Sequence, residues 1–208
     1  MLHTPRILVI SCSSSESYVT AVRKFLVLLK AKCNLRVIAL DDDCVIPMES
    51  VQDWLMEEIN SARKVVLFHS EESVLYAWRY VRSGIAHSVT LKTFVSALEM
   101  FSDSRVDQSK LLSVYFSYTP YSCVVVINCG KTYKLMDEFN GFLEDVCGSQ
   151  IDGSSLLMCE EGRELQRAVE EAASCAEAHP FGFLPPEPDT SSIDNLSLSY
   201  MADTVDSD

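Results

Sequence analysis

Apolar residues fall along this chain in two alternating rhythms. Short continuous runs are separated by longer stretches in which they recur every three or four positions. Arg6-Ile-Leu-Val-Ile-Ser11 is a run of the first kind, and it opens into a serine-rich stretch from Ser11 to Ser17. A buried parallel strand feeding a strand-to-helix turn has this form. Val19, Val22, Leu26, Leu29 and Cys33 then line one face of a helix. Leu35 to Leu40 forms a second strand and closes on Asp41, Asp42 and Asp43. Ser50 with Asp53 resembles a helix cap, and Val51, Trp54, Leu55 and Ile59 share a face behind it. Lys64 to Ser70 is a third strand, followed by a less regular region carrying Tyr76, Trp78 and Tyr80.

Ser88 is placed to cap a helix whose inward positions are Leu91, Phe94, Val95, Leu98 and Phe101. Leu111–Ser117 and Ser122–Asn128 supply two more strands around the turn-like Tyr118-Thr-Pro-Tyr121. The helical spacing returns from Lys134 to Val146, with Gly148 as its stop, and again from about Glu161 to Glu177. Strands alternating with helices predict a parallel sheet covered on both faces. The fold class expected is α/β, a doubly wound, flavodoxin-like five-stranded sheet with a C-terminal extension helix. The division expected is a core over 1–150, an extension helix packed on it over 151–180, and an acidic tail over 181–208. Beyond His179 the chain carries four prolines, six acidic residues and no Lys or Arg, a composition that cannot bury enough to order itself.

Composition narrows the chemistry. Hydrophobic residues are 48% of the 208, ample for a core, and the net charge of −13 disfavours nucleic acid and anionic membrane surfaces. The eight cysteines form no C-x-x-C pair and match no zinc spacing, so reduced structural thiols in a cytosolic protein are expected. No secretory leader and no apolar stretch of about 18 residues is present in the sequence, so any membrane attachment would lie outside it.

Active sites in doubly wound sheets lie at the carboxyl ends of the strands. The loop Ser11–Ser17 could hold a phosphate, as in flavin proteins, but it lacks glycine, and Glu16 would repel an anion. Cys12 at a strand end suggests a phosphatase, yet the clamping arginine is missing and Tyr18 stands in its place. The three aspartates resemble the acidic pocket of receiver domains, whose remaining positions here are Ser11-Cys12, His69-Ser70 and Asn128. No catalytic, cofactor-binding or metal-binding residue is assigned, and no cofactor is expected.

The ordered series of motifs resembles the SEFIR domain, the TIR-related module of interleukin-17 receptors and their adaptor. Arg6 to Ser13 looks like the family's first box, an apolar strand leading to Tyr-Ser or a similar polar pair, with Ser11-Cys12 here replacing the usual aromatic. Leu40–Asp43 resembles the end of its second strand, Gln52–Leu55 its tryptophan-bearing helix, and Lys64–Ser70 its third strand. Phe94, Ala97 and Met100 match the receptors' Phe-x-x-Ala-x-x-Met helix, and Val114–Ser117 their fourth strand. Tyr133–Phe139 is similar to their Tyr-x-Leu-Met-Asp segment, and Gly162–Val169 to their extension helix. The likeness spans about residues 5 to 184.

This resemblance implies homotypic docking of a receptor tail with a SEFIR adaptor or receptor, as a homo- or hetero-oligomer. The adaptor would then engage ubiquitin-ligase and TRAF-type machinery towards inflammatory transcription. Arg79, Arg82 and Lys92 could face an acidic surface such as Asp41, Asp42 and Asp43. The alternative is an enzyme, a TIR-like NAD hydrolase or a flavin protein. TIR-type hydrolases carry a glutamate four residues past a tryptophan, and Arg82 stands at that distance from Trp78, leaving only Glu71 or Glu72 as substitutes.

Overall fold

The computed structural model describes residues 4–40, 46, 48–83, 88–125 and 130–178; for Met48, Val81 and Arg82 only the backbone is described. Five strands, β1 (Arg6–Ile10), β2 (Arg36–Ala39), β3 (Lys64–His69), β4 (Leu111–Tyr115) and β5 (Lys131–Lys134), pair in the order β2-β1-β3-β4-β5. Every pairing is parallel. This is the flavodoxin-like order, with the sequence returning across β1 and β3. The helices are α1 (Glu16–Lys32), α2 (Val51–Ser61), α3 (Glu71–Ser83), α4 (Val89–Ser102), α5 (Phe139–Cys147), α6 (Gly153–Met158) and α7 (Glu160–Ala178).

The central strands are apolar throughout because both of their faces are covered. Successive residues alternate between two cores. Ile7, Val9, Val66, Phe68, Leu112 and Val114 point to one side, where Phe25 and Leu29 of α1 and Phe142 of α5 meet them. Leu8, Ile10, Val65, Leu67 and Leu111 point to the other, against Leu55 and Ile59 of α2 and Phe94 and Phe101 of α4. Phe25 packs edge-on to Phe68 at 5.2 Å between ring centroids, joining helix and sheet.

Four local expectations are corrected. The segment from Ser122 to Asn128 does not supply the fifth strand: Tyr121–Cys123 turns as a short 3-10 helix, residues 126–129 lie outside the described residues, and Lys131–Lys134 pairs with β4 instead. The helix expected from Lys134 begins only at Phe139, and Gly148 ends it in the left-handed conformation at φ 69°. The irregular stretch after β3 is a full helix, α3. Ser50 precedes α2 without a side-chain capping bond, whereas Ser88 does cap α4 by accepting from the Leu91 N–H at 3.1 Å.

α7 lies along α1 and extends the first core through Leu165, Ala168, Val169 and Ala172. Lys24 pairs with Glu164 at 2.8 Å and Lys32 with Glu161 at 3.1 Å, so the two helices run antiparallel. The turn from α6 into α7 depends on Gly162. A Cβ there would sit 2.1 Å from the Leu156 carbonyl oxygen and 2.6 Å from the Leu157 Cα. Backbone on both sides leaves no flexible atom to yield. Gly162→Ala should therefore destabilise the protein by about 1–3 kcal/mol. Urea unfolding measures the loss, and faster amide exchange confined to α6 and α7 locates it.

Candidate functional site

The carboxyl edge of β1, β3 and β4 carries a cleft of about 280 Å³. Ser13, Ser15 and Tyr18 line it from the first strand-to-helix turn, Ser70, Glu71 and Glu72 from the second, Tyr118 and Thr119 from the loop after β4, and Ala172, Cys175 and Ala176 from α7. Here the sheet's crossover point and the extension helix meet.

Glu72 organises this edge. It is 6% exposed, and its carboxylate accepts from Ser13 Oγ at 2.5 Å, Ser14 N at 2.6 Å, Ser14 Oγ at 2.9 Å and Ser15 N at 3.1 Å. The serine loop, whose chemistry suits an anion, holds one supplied by the chain itself. A phosphate would have to displace a carboxylate already bonded to these donors, so the geometry runs against the flavin alternative. Ser14 Oγ also lies 3.0 Å from Tyr76 Oη, which extends the contact along α3.

Ser70 and Ser73 bond reciprocally at the start of α3: the Ser73 N–H donates to Ser70 Oγ at 3.0 Å, and the Ser70 N–H to Ser73 Oγ at 2.9 Å. This is a capping box with serine in the place of Glu or Gln. Tyr18, buried beneath, donates its hydroxyl to the His69 carbonyl at 3.2 Å. Cys12 is no nucleophile, because burial, with the Glu72 charge adding to it, pushes its thiol up to about 12.

His69 is fully buried at the end of β3, edge-on to Phe94 at 5.9 Å. Burial holds its pKa down to about 3, so the ring is neutral. Nδ1 accepts from the Val125 N–H at 3.4 Å, which leaves the hydrogen on Nε2, buried with no partner among the described residues.

α3 rises from this anchor. Its buried positions are Glu72, Ser73 and Ala77, while Val74, Leu75, Tyr76, Trp78 and Tyr80 are half-buried and Arg79 is exposed. Among the residues singled out from the sequence, Arg79 lies on α3 and Lys92 in the first turn of α4, half-buried. The backbone of Arg82 continues α3; its side chain and Asp41, Asp42 and Asp43 lie outside the described residues. The sequence reading weighed Glu72 only as a stand-in catalytic carboxylate. A serine triplet after one strand and a glutamate after its neighbour was the signal available for its structural role.

A five-stranded parallel α/β domain with its carboxyl edge closed by an internal carboxylate defines the class. The SEFIR domain profile matches residues 5–146, and the chain belongs to the SEFIR domain family. The match stops before α6 and α7. A crystal structure of a prokaryotic SEFIR domain is similar in fold, with a TM-score of 0.51 and 14% identity, over 69% of this chain and 99% of that one. No curated protein matches the sequence. SEFIR domains generally serve in signalling and in interactions between proteins. Among the described residues, no helix is long and apolar enough to cross a membrane, and no group of His, Cys, Asp and Glu could hold a metal ion.

Two measurements test this edge. Glu72→Ala should cost about 2–3 kcal/mol in urea unfolding, because the Ser14 and Ser15 N–H groups lose their acceptor, and Glu72→Gln should cost less. His69 sets a pH dependence. Its folded pKa is depressed, so between about 6.5 and about 3 the unfolded chain binds the extra proton and acid destabilises the fold. The slope is about 1.4 kcal/mol per pH unit. Unfolding of His69→Phe at pH 7 and pH 5 should lack this component.

Proposed function

We infer that this domain signals by homotypic docking with the SEFIR domain of an adaptor or receptor, as in the cytosolic portion of an interleukin-17-receptor-like protein. The observation that carries this is the surface of α3. A helix whose buried positions among the described side chains are Glu72, Ser73 and Ala77 leaves Tyr76, Trp78 and Tyr80 half-open beside the exposed Arg79. Tyr, Trp and Arg are the residues enriched where protein interfaces concentrate their binding energy. Three aromatic side chains on a helix anchored at one end present contact area with little conformational freedom left to lose.

Charge supports the same face. The chain carries −13 overall, so a surface tipped by Arg79 would contrast with the rest of the molecule and orient it against an acidic partner, with Arg82 and Lys92 as the further basic residues proposed to take part. Asp41, Asp42 and Asp43 are the acidic cluster this arrangement would use on the partner's copy of the domain. Docking through these residues leads to recruitment of the adaptor and, through it, to inflammatory transcription.

The test is co-precipitation with a SEFIR adaptor. Arg79→Glu combined with Arg82→Glu should reduce capture at least tenfold, about 1.4 kcal/mol or more, with an unchanged circular dichroism spectrum. Undiminished capture by the folded double variant overturns α3 as the docking face. Incubation with NAD, followed by product chromatography, separates this function from hydrolysis: no turnover is expected, and turnover abolished by Glu71→Gln would replace docking with catalysis.

A further inference from the structure

One wall of the cleft at the carboxyl edge is α7 itself, through Ala172, Cys175 and Ala176. The helix ends at Ala178, the last described residue, so the chain leaves it within a turn of the cleft. His179-Pro180-Phe181-Gly182-Phe183-Leu184-Pro185-Pro186 follows in the sequence. A proline disfavours the helical conformation at the residue before it, so the sequence directs the chain away from the α7 axis at His179. Between Pro180 and Pro185 stand Phe181, Gly182, Phe183 and Leu184, none with a polar side chain, and the first acid after them is Glu187.

The cleft has a complementary character. Tyr18 and Tyr118, which line it, both pack on Phe116, Tyr118 stacked at 5.9 Å between ring centroids and Tyr18 edge-on at 5.7 Å. A further aromatic ring can continue that cluster in either geometry. At about 280 Å³ the cleft falls just below the range of about 300–1,000 Å³ usual for small-molecule sites, a size for one or two side chains. Glu71 and Glu72 on the facing wall oppose an anionic occupant, and the run from Phe181 to Leu184 carries no charge. The Tyr118 hydroxyl is shielded from solvent and has no hydrogen-bond partner among the described residues. Such a group calls for an acceptor, and the backbone carbonyls of an extended segment crossing the cleft supply one. The five residues from Ala178 to Phe183 span up to about 17 Å when extended, ample for a cleft of this volume.

We propose that the cleft is the binding site of an aromatic peptide segment, Phe181–Leu184 of the same chain, which folds back from the end of α7 and lays a phenylalanine ring against Tyr118. The short tether makes the contact intramolecular, so its high effective concentration holds the segment in place without a large interface. The acidic tail expected over 181–208 then begins at Pro185. It departs from the cleft beside Glu71, at the first turn of α3. This inference does not depend on the proposed docking.

Two measurements on the full chain test this. In the first, Cys175, which lines the cleft, is alkylated with a maleimide and followed by peptide mass spectrometry, with Cys159, just before α7, as internal reference. Phe181→Ser combined with Phe183→Ser should accelerate Cys175 about tenfold, as a tenfold rise in the open population does, and leave Cys159 unchanged. Equal Cys175 rates in the two chains overturn the proposal, and so does an equal acceleration of Cys159. In the second, a photoreactive benzoylphenylalanine replaces Phe183, or Leu196 as a control farther along the tail. Crosslinks from position 183 to the peptides carrying Glu71 or Tyr118 are expected, with none from position 196. Crosslinks from position 183 confined to α7 or made to a second copy of the chain, or the same crosslinks from both positions, overturn it.

Discussion

A carboxylate taken out of water must find donors within the protein, or its burial costs several kcal/mol. Glu72 finds them in three consecutive serines that arrive from a different strand. The turn after β1 and the start of α3 are therefore fixed relative to one another by the same bonds that satisfy the charge. The cleft floor and the direction in which α3 leaves the sheet follow from that constraint, and the charge it holds adds to the burial that suppresses Cys12 ionisation.

The constraint also separates rigid from presented surface. α3 is held through Glu72, Ser73 and the Ser70 cap, so its first turn belongs to the core and its later turns need not. A helix anchored in this way can offer large side chains to a partner without loosening the fold beneath them. On the opposite face α1 is covered twice, by the sheet and along its flank by α7, with Lys24 and Lys32 paired to Glu164 and Glu161. That side of the domain is committed to its own packing, and a partner approaching there would have to displace Leu165, Val169 and Ala172.

The sequence disclosed most where burial is symmetrical. β1, β3 and β4 are covered on both faces, so their apolar runs are continuous and could be recognised without a structure. β5 is an edge strand whose residues Lys-Thr-Tyr-Lys are exposed or half-buried, so its composition carries no such mark, and the more apolar stretch before it has the strand-like pattern instead. α3 was hidden for a related reason. The side chains it buries are Glu, Ser and Ala, so the helical period of its apolar residues does not coincide with its buried face. The contact between Glu72 and Ser14 spans 58 positions. Periodicity is a local property and is blind to it. The family resemblance was legible because it rests on the order of elements, which the chain displays directly, rather than on any one site. For the three aspartates, position in the chain is all there is to argue from, whereas Arg79 is placed by its helix.

Net charge bears on how such a domain would associate. Two copies each carrying −13 repel at long range, so an interface that sets the same face against itself would gain nothing from electrostatics. In the docking inferred from α3, a basic and aromatic helix meets an acidic surface on the other partner, and the two contact faces differ. A contact between unlike faces leaves each bound domain with one face still available, so it does not close by itself into a two-fold pair. Association can then continue from one domain to the next, with salt weakening the charged contribution and leaving the aromatic one. Interaction through unlike surfaces, rather than symmetric pairing, is thus the geometry that fits both the overall charge and the exposed Arg79 on α3.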